Sequence, residues 1–222
     1  MSERRKRLYP IYKHALTIDK YKGKVSMQGD RLVINSKIYT VEPYNNLDKL
    51  PKDLQPRSAC EIEDENTLVY FGMHSPFSNF YKCDFTVDNV HYCCTEQYIQ
   101  GSKALEFGDD LAHAKIMRLT NPVAMKQVGK QIKKFKLARW NAIAPNVART
   151  AVTSKFLQNP TLGQILLDTG TKTLAEASTE LPWGTGISFR SRNVLNMESW
   201  THTGLMGDLL MEIRNLVKRN LD

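Results

Sequence analysis

The chain has 222 residues, of which 41% are hydrophobic and 24% are charged, the balance of a globular protein with enough apolar material for a core. No stretch approaches the roughly 18 consecutive apolar residues that span a bilayer, so a membrane protein is not expected. The formal net charge of +8 indicates an anionic partner, such as a nucleic acid, a dinucleotide or a phosphorylated sugar.

The four cysteines indicate neither a disulfide framework nor a metal site. Cys93 and Cys94 are adjacent and cannot easily bridge each other, and no CxxC pair or zinc-type cluster of cysteine and histidine occurs. The basic N-terminus lacks the apolar run of a secretory signal. We therefore expect an intracellular protein, cytoplasmic or, in a eukaryote, nuclear, with no metal and no cofactor.

Residues 1–65 are predicted to form an N-terminal extension made of a basic tail, a hairpin and a linker. The cations at residues 4–7 indicate either a solvated, disordered end or a nuclear-localisation or nucleic-acid contact. Two β-branched runs flank Asn35-Ser36 within residues 31–41, which predicts a hairpin. An acidic run at residues 61–65 and three prolines indicate the connector, the prolines being Pro43, Pro51 and Pro56.

Residues 66–222 are predicted to form a single α+β domain, mostly helical with a few short strands. Residues 67–71 predict a strand that Gly72 closes, and residues 85–92 predict a hairpin that turns at Asp88-Asn89. Strands this short and this far apart do not indicate a long parallel sheet.

The remainder of this domain is predicted to be helical. Thr95 can cap a helix that runs to about residue 107 and uses apolar residues such as Leu105 for packing. Pro145 is tolerated if it falls early in its own helix. The other predicted helices span residues 109–118, 121–129, 141–158, 160–168 and 206–221.

The first candidate site is a loop of sequence SPFSNF at residues 75–80. Loops that combine hydroxyl and amide groups with aromatic rings suit the rim of a ligand site. A turn with two buried phenylalanines explains the same pattern without a function. The candidate ligand-binding residues are Phe77, Ser78, Asn79 and Phe80.

The second candidate site lies on the helix that follows Thr95. Glu96, Gln100 and Lys103 occupy positions i, i+4 and i+7 and share one helix face, and the Lys103 stem would reach back toward the other two. A carboxylate and an amine that converge at a cleft supply an acid or base and a nucleophile. The alternative is a solvated polar stripe.

The third candidate site is the turn at residues 180–186, of sequence ELPWGTG. Its two glycines permit a tight backbone whose amides could approach a phosphate, although the spacing matches neither GxGxxG nor a P-loop. A structural turn around a core tryptophan is the alternative. The candidate ligand-binding residues are Glu180, Trp183, Gly184, Thr185 and Gly186.

Six cations lie between residues 126 and 139, ahead of Trp140. Such a run is usually a solvated surface, but it can also contact a polyanion. Neither HExxH nor GxSxG occurs, which disfavours metal-dependent hydrolysis and serine-hydrolase chemistry. The six cations are Lys126, Lys130, Lys133, Lys134, Lys136 and Arg139.

Taken in order, these motifs resemble the NADAR (YbiA-like) family over about residues 68–219. The shared pattern is the SPFSNF loop, a helix with a glutamate and a lysine seven positions later, a tryptophan in the middle helices, and the WGxG turn. A final helix of the form LGxxLMxxR corresponds to residues 206–214. Each motif is short, but the ordered set is specific.

The resemblance implies a YbiA-like fold and an N-glycosidase that acts on ADP-ribosylated guanine or on ribosylamino-pyrimidine phosphates of riboflavin biosynthesis. It further implies that Glu96 and Lys103 are catalytic, with Lys103 as a Schiff-base nucleophile at C1 and Glu96 as an acid, a base or a stabilising charge. Trp140 would line the site, and the SPFSNF loop and the WGTG turn would hold ribose and phosphates. The attacking amine must be neutral, and the sequence leaves open whether burial or the neighbouring carboxylate dominates its pKa.

Two departures from the family pattern concern the distal part of the substrate. Glu180 stands where the family has an aspartate, and Thr203-Gly204 replaces a GxN motif after an insertion at residues 188–199. The positive charge favours ADP-ribosylated guanine in nucleic acid over the riboflavin intermediate. A catalytically idle module that binds ADP-ribose is a third reading, and the oligomeric state is left open.

Overall fold

The structure is a computed structural model that describes residues 2–40, 51 and 61–220. The chain divides into two compact units, Met1–Ser78 with Asp168–Asp208, and Asn79–Leu167 with Leu209–Asp222. This division differs from the predicted boundary near residue 65. The first unit continues to residue 78 and also includes residues 168–208. Within the described residues, no helix is both long and apolar enough to cross a membrane.

The first unit begins with a helix packed on a three-stranded antiparallel meander. The helix is capped by Ser2, whose hydroxyl accepts a hydrogen bond from the Arg5 amide at 3.2 Å. Asn35 and Ser36 have φ values of 49° and 65°, as in the tight turns that suit hairpins. The elements are α1 (Glu3–Leu16), β1 (Val25–Gln28), β2 (Arg31–Ile34) and β3 (Lys37–Tyr39).

Apolar side chains of α1 and the meander form one core, which includes Leu8, Ile11, Leu32 and Ile34. The predicted hairpin is therefore confirmed. The reading of residues 4–7 as a disordered end is wrong, because their backbone belongs to α1. A helix with one apolar face gains its stability from burial of that face, which the basic composition of its first turn conceals.

A second sheet of the first unit joins distant parts of the chain. Strand β5 (Thr67–Tyr70) pairs antiparallel with β4 (Glu61–Glu63) and parallel with β8 (Thr173–Glu176), and every residue of β5 is buried. The prediction that residues 61–65 belong to a linker is wrong for β4, while residues 41–50 and 52–60 of that linker lie outside the described residues.

The insertion at residues 188–199 covers this sheet. Val194 and Trp200 are buried together with Val69 and Ala175 of the strands, and the indole Nε1 of Trp200 donates a hydrogen bond to the Val194 carbonyl at 2.9 Å. The insertion is therefore a part of the core of the first unit.

The second unit is a helical assembly with one hairpin, and α2 packs against α3, α4 and α5. The hairpin turns at Asp88 and Asn89, whose φ values are 49° and 62°. The mostly helical α+β fold is thus confirmed. The elements are β6 (Phe85–Val87), β7 (Val90–Tyr92), α2 (Thr95–Glu106), α3 (Asp110–Arg118), α4 (Pro122–Gly129), α5 (Leu137–Gln158), α6 (Pro160–Leu167) and α7 (Leu205–Arg219), which begins in the first unit.

Two details of these helices differ from the prediction. The N-cap of α2 is Cys94, and Thr95 is already helical, with its hydroxyl engaged by Asn79 instead of by the helix backbone. Helix α5 begins at Leu137 because Lys136 already accepts the Trp140 amide at 3.0 Å, so Pro145 lies in the helix interior.

Candidate functional site

The start of α2 buries polar side chains. Glu96 is 5% exposed and Gln97 is 4% exposed, whereas Leu105 at the other end is 55% exposed. The prediction that Leu105 packs in the interior is therefore wrong. Buried polar groups require hydrogen-bond partners, and the partners of these residues fix how the helix is oriented.

Gln97 attaches α2 to the end of α3. Its Nε2 lies 3.2–3.3 Å from the carbonyl oxygens of Ile116, Met117 and Leu119, and its Oε1 accepts the Cys93 amide at 2.9 Å. Carbonyls at a helix C-terminus have no partner within the helix. The two N–H groups of the Gln97 amide are shared among these carbonyls and so fix the rotation of α2 about its axis.

Asn79 binds the first turn of α2. Its carbonyl accepts the Glu96 amide at 3.0 Å, and its Oδ1 accepts the Thr95 hydroxyl at 2.9 Å. Phe80 follows, with its ring centroid 5.7 Å from the Nζ of Lys126. The structure thus brings Asn79 to the same helix end as Glu96 and places the Phe80 ring beside Lys126 of α4.

Phe77 and Ser78 of the same loop lie in the first unit and are buried. Phe77 is 1% exposed, and its ring centroid is 5.8 Å from that of Tyr70. The ring is therefore a core element and cannot stack on a ligand as predicted. The reading of a turn with a buried phenylalanine holds for Phe77.

Glu96, Gln100 and Lys103 lie on the face of α2 near residues from α4, from α5 and from the segment between these helices. The Nε2 of Gln100 donates a hydrogen bond to Glu96 Oε1 at 2.8 Å. The Nζ of Lys103 donates to the Gly129 carbonyl at 2.9 Å and lies 4.3 Å from the ring centroid of Phe135 and 5.8 Å from that of Trp140. We call this set the Lys103 cluster: Glu96, Gln100, Lys103, Gly129, Phe135 and Trp140.

The half-buried amine of Lys103 has a pKa below the ordinary lysine value of 10.5. Desolvation by burial is the largest cause, the carboxylate of Glu96 opposes it, and the positive charge of Lys130 adds to it. Burial therefore outweighs the carboxylate, which answers the question that the sequence leaves open. A larger fraction of this amine is neutral near pH 7 than of an exposed lysine.

The turn at residues 183–186 does not offer free amides. The amides of Trp183 and Gly184 donate to the Glu180 carbonyl at 3.0 and 3.1 Å, and those of Thr185 and Gly186 donate to the carbonyls of Glu176 and Ser178 at 2.9 Å. The predicted approach of these amides to a phosphate is therefore wrong. A Cβ on Gly184 would lie 2.5 Å from the Ser178 Cβ, so close packing explains this glycine.

Lys155 is a second unusual lysine, and the sequence analysis missed it. It is 1% exposed, its Nζ lies 5.4 Å from the Tyr81 ring centroid, and burial lowers its pKa to about 8. A lysine within the apolar stripe of α5 that includes Ala148 and Val152 is the signal that could have identified it. Because Lys155 is almost fully buried, its low pKa alone does not make it a nucleophile.

Gly129 and Phe135 were also missed. Gly129 ends α4 and resembles an ordinary helix terminus, and Phe135 lies inside the basic run, so neither carries a recognisable signal.

Five of the six cations of that run are exposed, and Lys126 is half-buried. Among the described residues, no group of three or more histidine, cysteine, aspartate or glutamate side chains could hold a metal ion.

Comparison with known proteins identifies a NADAR domain over residues 70–218. N-glycosidase R617 of Acanthamoeba polyphaga mimivirus is 34% identical over 126 residues, which cover 56% of this chain and 74% of that protein. N-glycosidase YbiA of Escherichia coli (strain K12) is 29% identical over 155 residues, which cover 68% of this chain and 88% of that protein.

The NMR structure of the E. coli protein YbiA shares the fold, with a TM-score of 0.57 and 24% sequence identity over 73% of this chain and 92% of that chain. At this level of identity the likeness supports the fold alone. The domain match covers more than half of the chain and contains both Glu96 and Lys103. The chain therefore belongs to the NADAR domain family.

Proposed function

We propose that this NADAR protein removes ADP-ribose from guanine bases of nucleic acid or nucleotides, with Lys103 as the nucleophile and Glu96 as the acid, base or stabilising charge. The general class, an enzyme that hydrolyses N-glycosyl bonds, is confirmed by the family and by relatives named N-glycosidases. The observation that carries the finer proposal is the placement of the Lys103 amine between two aromatic rings, on the helix face of a buried glutamate.

The first step breaks the bond between C1 of the ribose and the guanine nitrogen. Positive charge develops at C1 and on the ring oxygen, and the carboxylate of Glu96 stabilises such charge. The Nζ of Lys103 forms a bond to C1 as the C1–nitrogen bond breaks, and the departing guanine takes up a proton.

The second step resolves the bond between Lys103 and the sugar. Breakage of the bond between C1 and the ring oxygen gives a protonated imine, and the ring oxygen takes up a proton. Water then adds to C1, the C1–Nζ bond breaks, and ADP-ribose leaves the regenerated amine. The sum is hydrolysis, and no oxidant or reductant enters.

The hydrogen bonds of the Lys103 cluster suit this chemistry. A neutral amine that donates one N–H to the Gly129 carbonyl keeps its lone pair available for C1. Gln100 donates to one oxygen of Glu96 and so orients the carboxylate. Fixed partners of this kind reduce the reorganisation needed in the transition state.

The proposed substrate is supported by the charge beside the cluster. Residues 126–139 carry six cations and no acidic residue, and the same segment supplies Gly129 and Phe135 to the cluster. Phosphates of a nucleotide or a nucleic acid are the anions that such a run attracts. This favours a phosphate-rich substrate.

The test is chromatography of products after the purified protein is incubated with an oligonucleotide that carries ADP-ribosyl-guanine. We expect the wild type to release ADP-ribose and Lys103→Ala to release none. The matched control is Lys115→Ala, an exposed lysine on α3, which should act as the wild type does. Binding of ADP-ribose without any release by the wild type would contradict the proposal and favour a binding module or a small-metabolite glycosidase.

A further inference from the structure

Two buried charged residues that precede the NADAR match, Lys13 and Glu61, lie close to the first residue of the SPFSNF loop. Helix α1 packs against strand β4 in the first unit. Lys13 of α1 is 6% exposed, Glu61 of β4 is 8% exposed, and Ser75 of the loop is fully buried. Charged side chains are rarely buried, because burial removes them from water at a cost in free energy. The burial of Lys13 and Glu61 therefore indicates a structural or functional role.

Ser75 connects Glu61 to the backbone of the loop. Its hydroxyl donates a hydrogen bond to Glu61 Oε1 at 3.0 Å and accepts the Phe77 amide at 3.2 Å. Its carbonyl accepts the Ser78 amide at 3.0 Å. The conformation of residues 75–78, immediately before Asn79 in the chain, therefore depends on the acceptor that Glu61 provides.

Burial and the neighbouring groups act on the pKa of Glu61 in opposite directions. Burial raises the pKa of this carboxyl to about 7, while attraction to Lys13 and the hydrogen bond from Ser75 oppose the rise and Glu63 on the same strand adds to it. Tyr70, its partner across the sheet, has a pKa raised by burial well above the ordinary value. His14 of α1 and His74 of the loop contact each other, with their ring centroids 5.3 Å apart.

Protonation of Glu61 would change the hydrogen bond to Ser75. The carboxylate accepts from the hydroxyl through a charge-assisted hydrogen bond, whereas a protonated carboxyl offers only a neutral acceptor oxygen, so protonation weakens this bond. The positive charge of Lys13 favours the carboxylate and so preserves the observed arrangement.

We propose that Glu61 and Lys13 are positioning residues, through which α1 and β4 hold residues 75–78, and with them the backbone that leads to Asn79 and Phe80, in the conformation that substrate binding requires. The segment before residue 70 is then an integral part of the enzyme and not a separate extension. This inference rests on the proposed function, because it takes the loop to contact the substrate.

The first part of the test needs no substrate. Hydrogen–deuterium exchange of residues 75–80 is compared in the wild type, Glu61→Leu, Glu61→Gln and the control Glu65→Gln, which alters an exposed carboxylate just after β4. We expect Glu61→Leu to accelerate exchange at Phe77 and Ser78, and Glu61→Gln, which keeps an acceptor oxygen, to restore protection. Unchanged exchange in Glu61→Leu overturns the proposal whatever the protein's activity.

The second part measures kcat and KM for release of ADP-ribose between pH 6 and pH 8. We expect Glu61→Leu to raise KM about tenfold with a much smaller change in kcat, since one lost hydrogen bond corresponds to about 1.4 kcal/mol. In the wild type KM should rise as the pH falls through about 7, toward the KM of Glu61→Gln, and Glu61→Gln itself should show no such step.

The two parts separate the possible failures. If Glu61→Leu shows faster exchange but an unchanged KM, the loop does not contribute to substrate binding and this proposal is wrong. The proposed N-glycosidase chemistry is not affected by that result. If the wild type releases no ADP-ribose, the proposed function fails but the exchange result still decides whether Glu61 positions the loop. Should Glu61→Leu not fold, Ser75→Ala removes the same hydrogen bond and Lys13→Met removes the opposing charge.

Discussion

Gly129 lies directly against the side-chain amide of Gln100. A Cβ at position 129 would be 1.8 Å from Gln100 Oε1. The carbonyl of the same glycine accepts the hydrogen bond of Lys103. One residue therefore leaves room for the group that orients Glu96 and provides the acceptor that orients the proposed nucleophile. This explains why a glycine, and no larger residue, ends α4.

We predict that Gly129→Ala lowers kcat at least about tenfold, because the new methyl group displaces Gln100 from Glu96 and a misplaced catalytic group costs heavily. The protein should remain folded, since alanine favours helix over glycine by about 1 kcal/mol. Steady-state kinetics and thermal unfolding measure both effects.

The control is Gly101→Ala on α2, where an added Cβ would meet His113 and Met117 at 3.6 Å, an ordinary contact distance. It should keep wild-type activity and unfold at the same temperature or higher. Equal activity of the two variants would show that the fit of Gln100 against Gly129 does not matter for catalysis.

Phe135→Ala should shift the pH dependence of activity to higher pH. The ring shields the Nζ of Lys103 from water at 4.3 Å, and burial is the main cause that lowers this pKa. Removal of the ring raises the pKa, so less neutral amine is present at pH 7 and kcat/KM at that pH decreases. The profile of kcat/KM between pH 6 and pH 10 measures the shift.

Leu137→Ala is the matched control for Phe135→Ala, since Leu137 lies in the same segment and is 62% exposed. Its profile should coincide with that of the wild type. A profile of Phe135→Ala that also coincides would contradict the assignment of burial as the cause.

Lys155 should make the stability of the fold increase with pH. The unfolded chain holds this proton up to about the ordinary pKa of 10.5, whereas the folded protein releases it near 8. Between these values the unfolded state binds more protons, so the free energy of unfolding rises with pH. Relative to Lys155→Met, the wild type should gain about 3 kcal/mol between pH 7 and pH 11, at 1.36 kcal/mol per pKa unit.

Urea unfolding of both proteins at several pH values between 7 and 11 tests this expectation. Groups distant from Lys155 contribute to both proteins alike and cancel in the comparison, whereas Cys83 and Cys94 interact with Lys155 and belong to the measured difference. Parallel stability curves would show that the proton of Lys155 is bound equally in the folded and unfolded states.

Three cations in the second half of the basic run should contact a polynucleotide but not a mononucleotide. Replacement of Lys133, Lys134 and Lys136 by alanine should weaken binding of an ADP-ribosylated single strand and leave the affinity for an ADP-ribosylated mononucleotide unchanged. The slope of log K against log salt should decrease by up to about 2, at about 0.7 for each phosphate contact. The control replaces three exposed cations elsewhere in the second unit: Lys82, Lys115 and Arg118.

Local patterns of the sequence predict much of this fold. The two hairpins have turn residues that accept positive φ, Asn35-Ser36 and Asp88-Asn89, and a two-residue turn fixes its own register. Strand β8 was missed because only its parallel pairing with β5, more than a hundred residues earlier in the chain, makes it a strand. Helix α1 was missed because its charged first turn resembles a solvated end.

The candidate site shows the same limit. The spacing of Glu96, Gln100 and Lys103 places them on one face, and the structure confirms that they lie together. The spacing cannot reveal Gly129 or Phe135, because these reach Lys103 only through packing of α2 against α4 and the segment that follows. The role of the WGTG turn could not be predicted from its spacing either. Its glycines allow close packing, and its amides donate hydrogen bonds to carbonyls of the protein itself.

The most direct test of the central claim is borohydride reduction during turnover of an ADP-ribosylated guanine substrate, followed by peptide mass spectrometry. We expect one stable adduct of the mass of reduced ADP-ribose, located on Lys103, and no adduct in Lys103→Arg, which keeps the charge without the nucleophile. Continued release of ADP-ribose with no adduct, or an adduct on another lysine, would contradict the role assigned to Lys103.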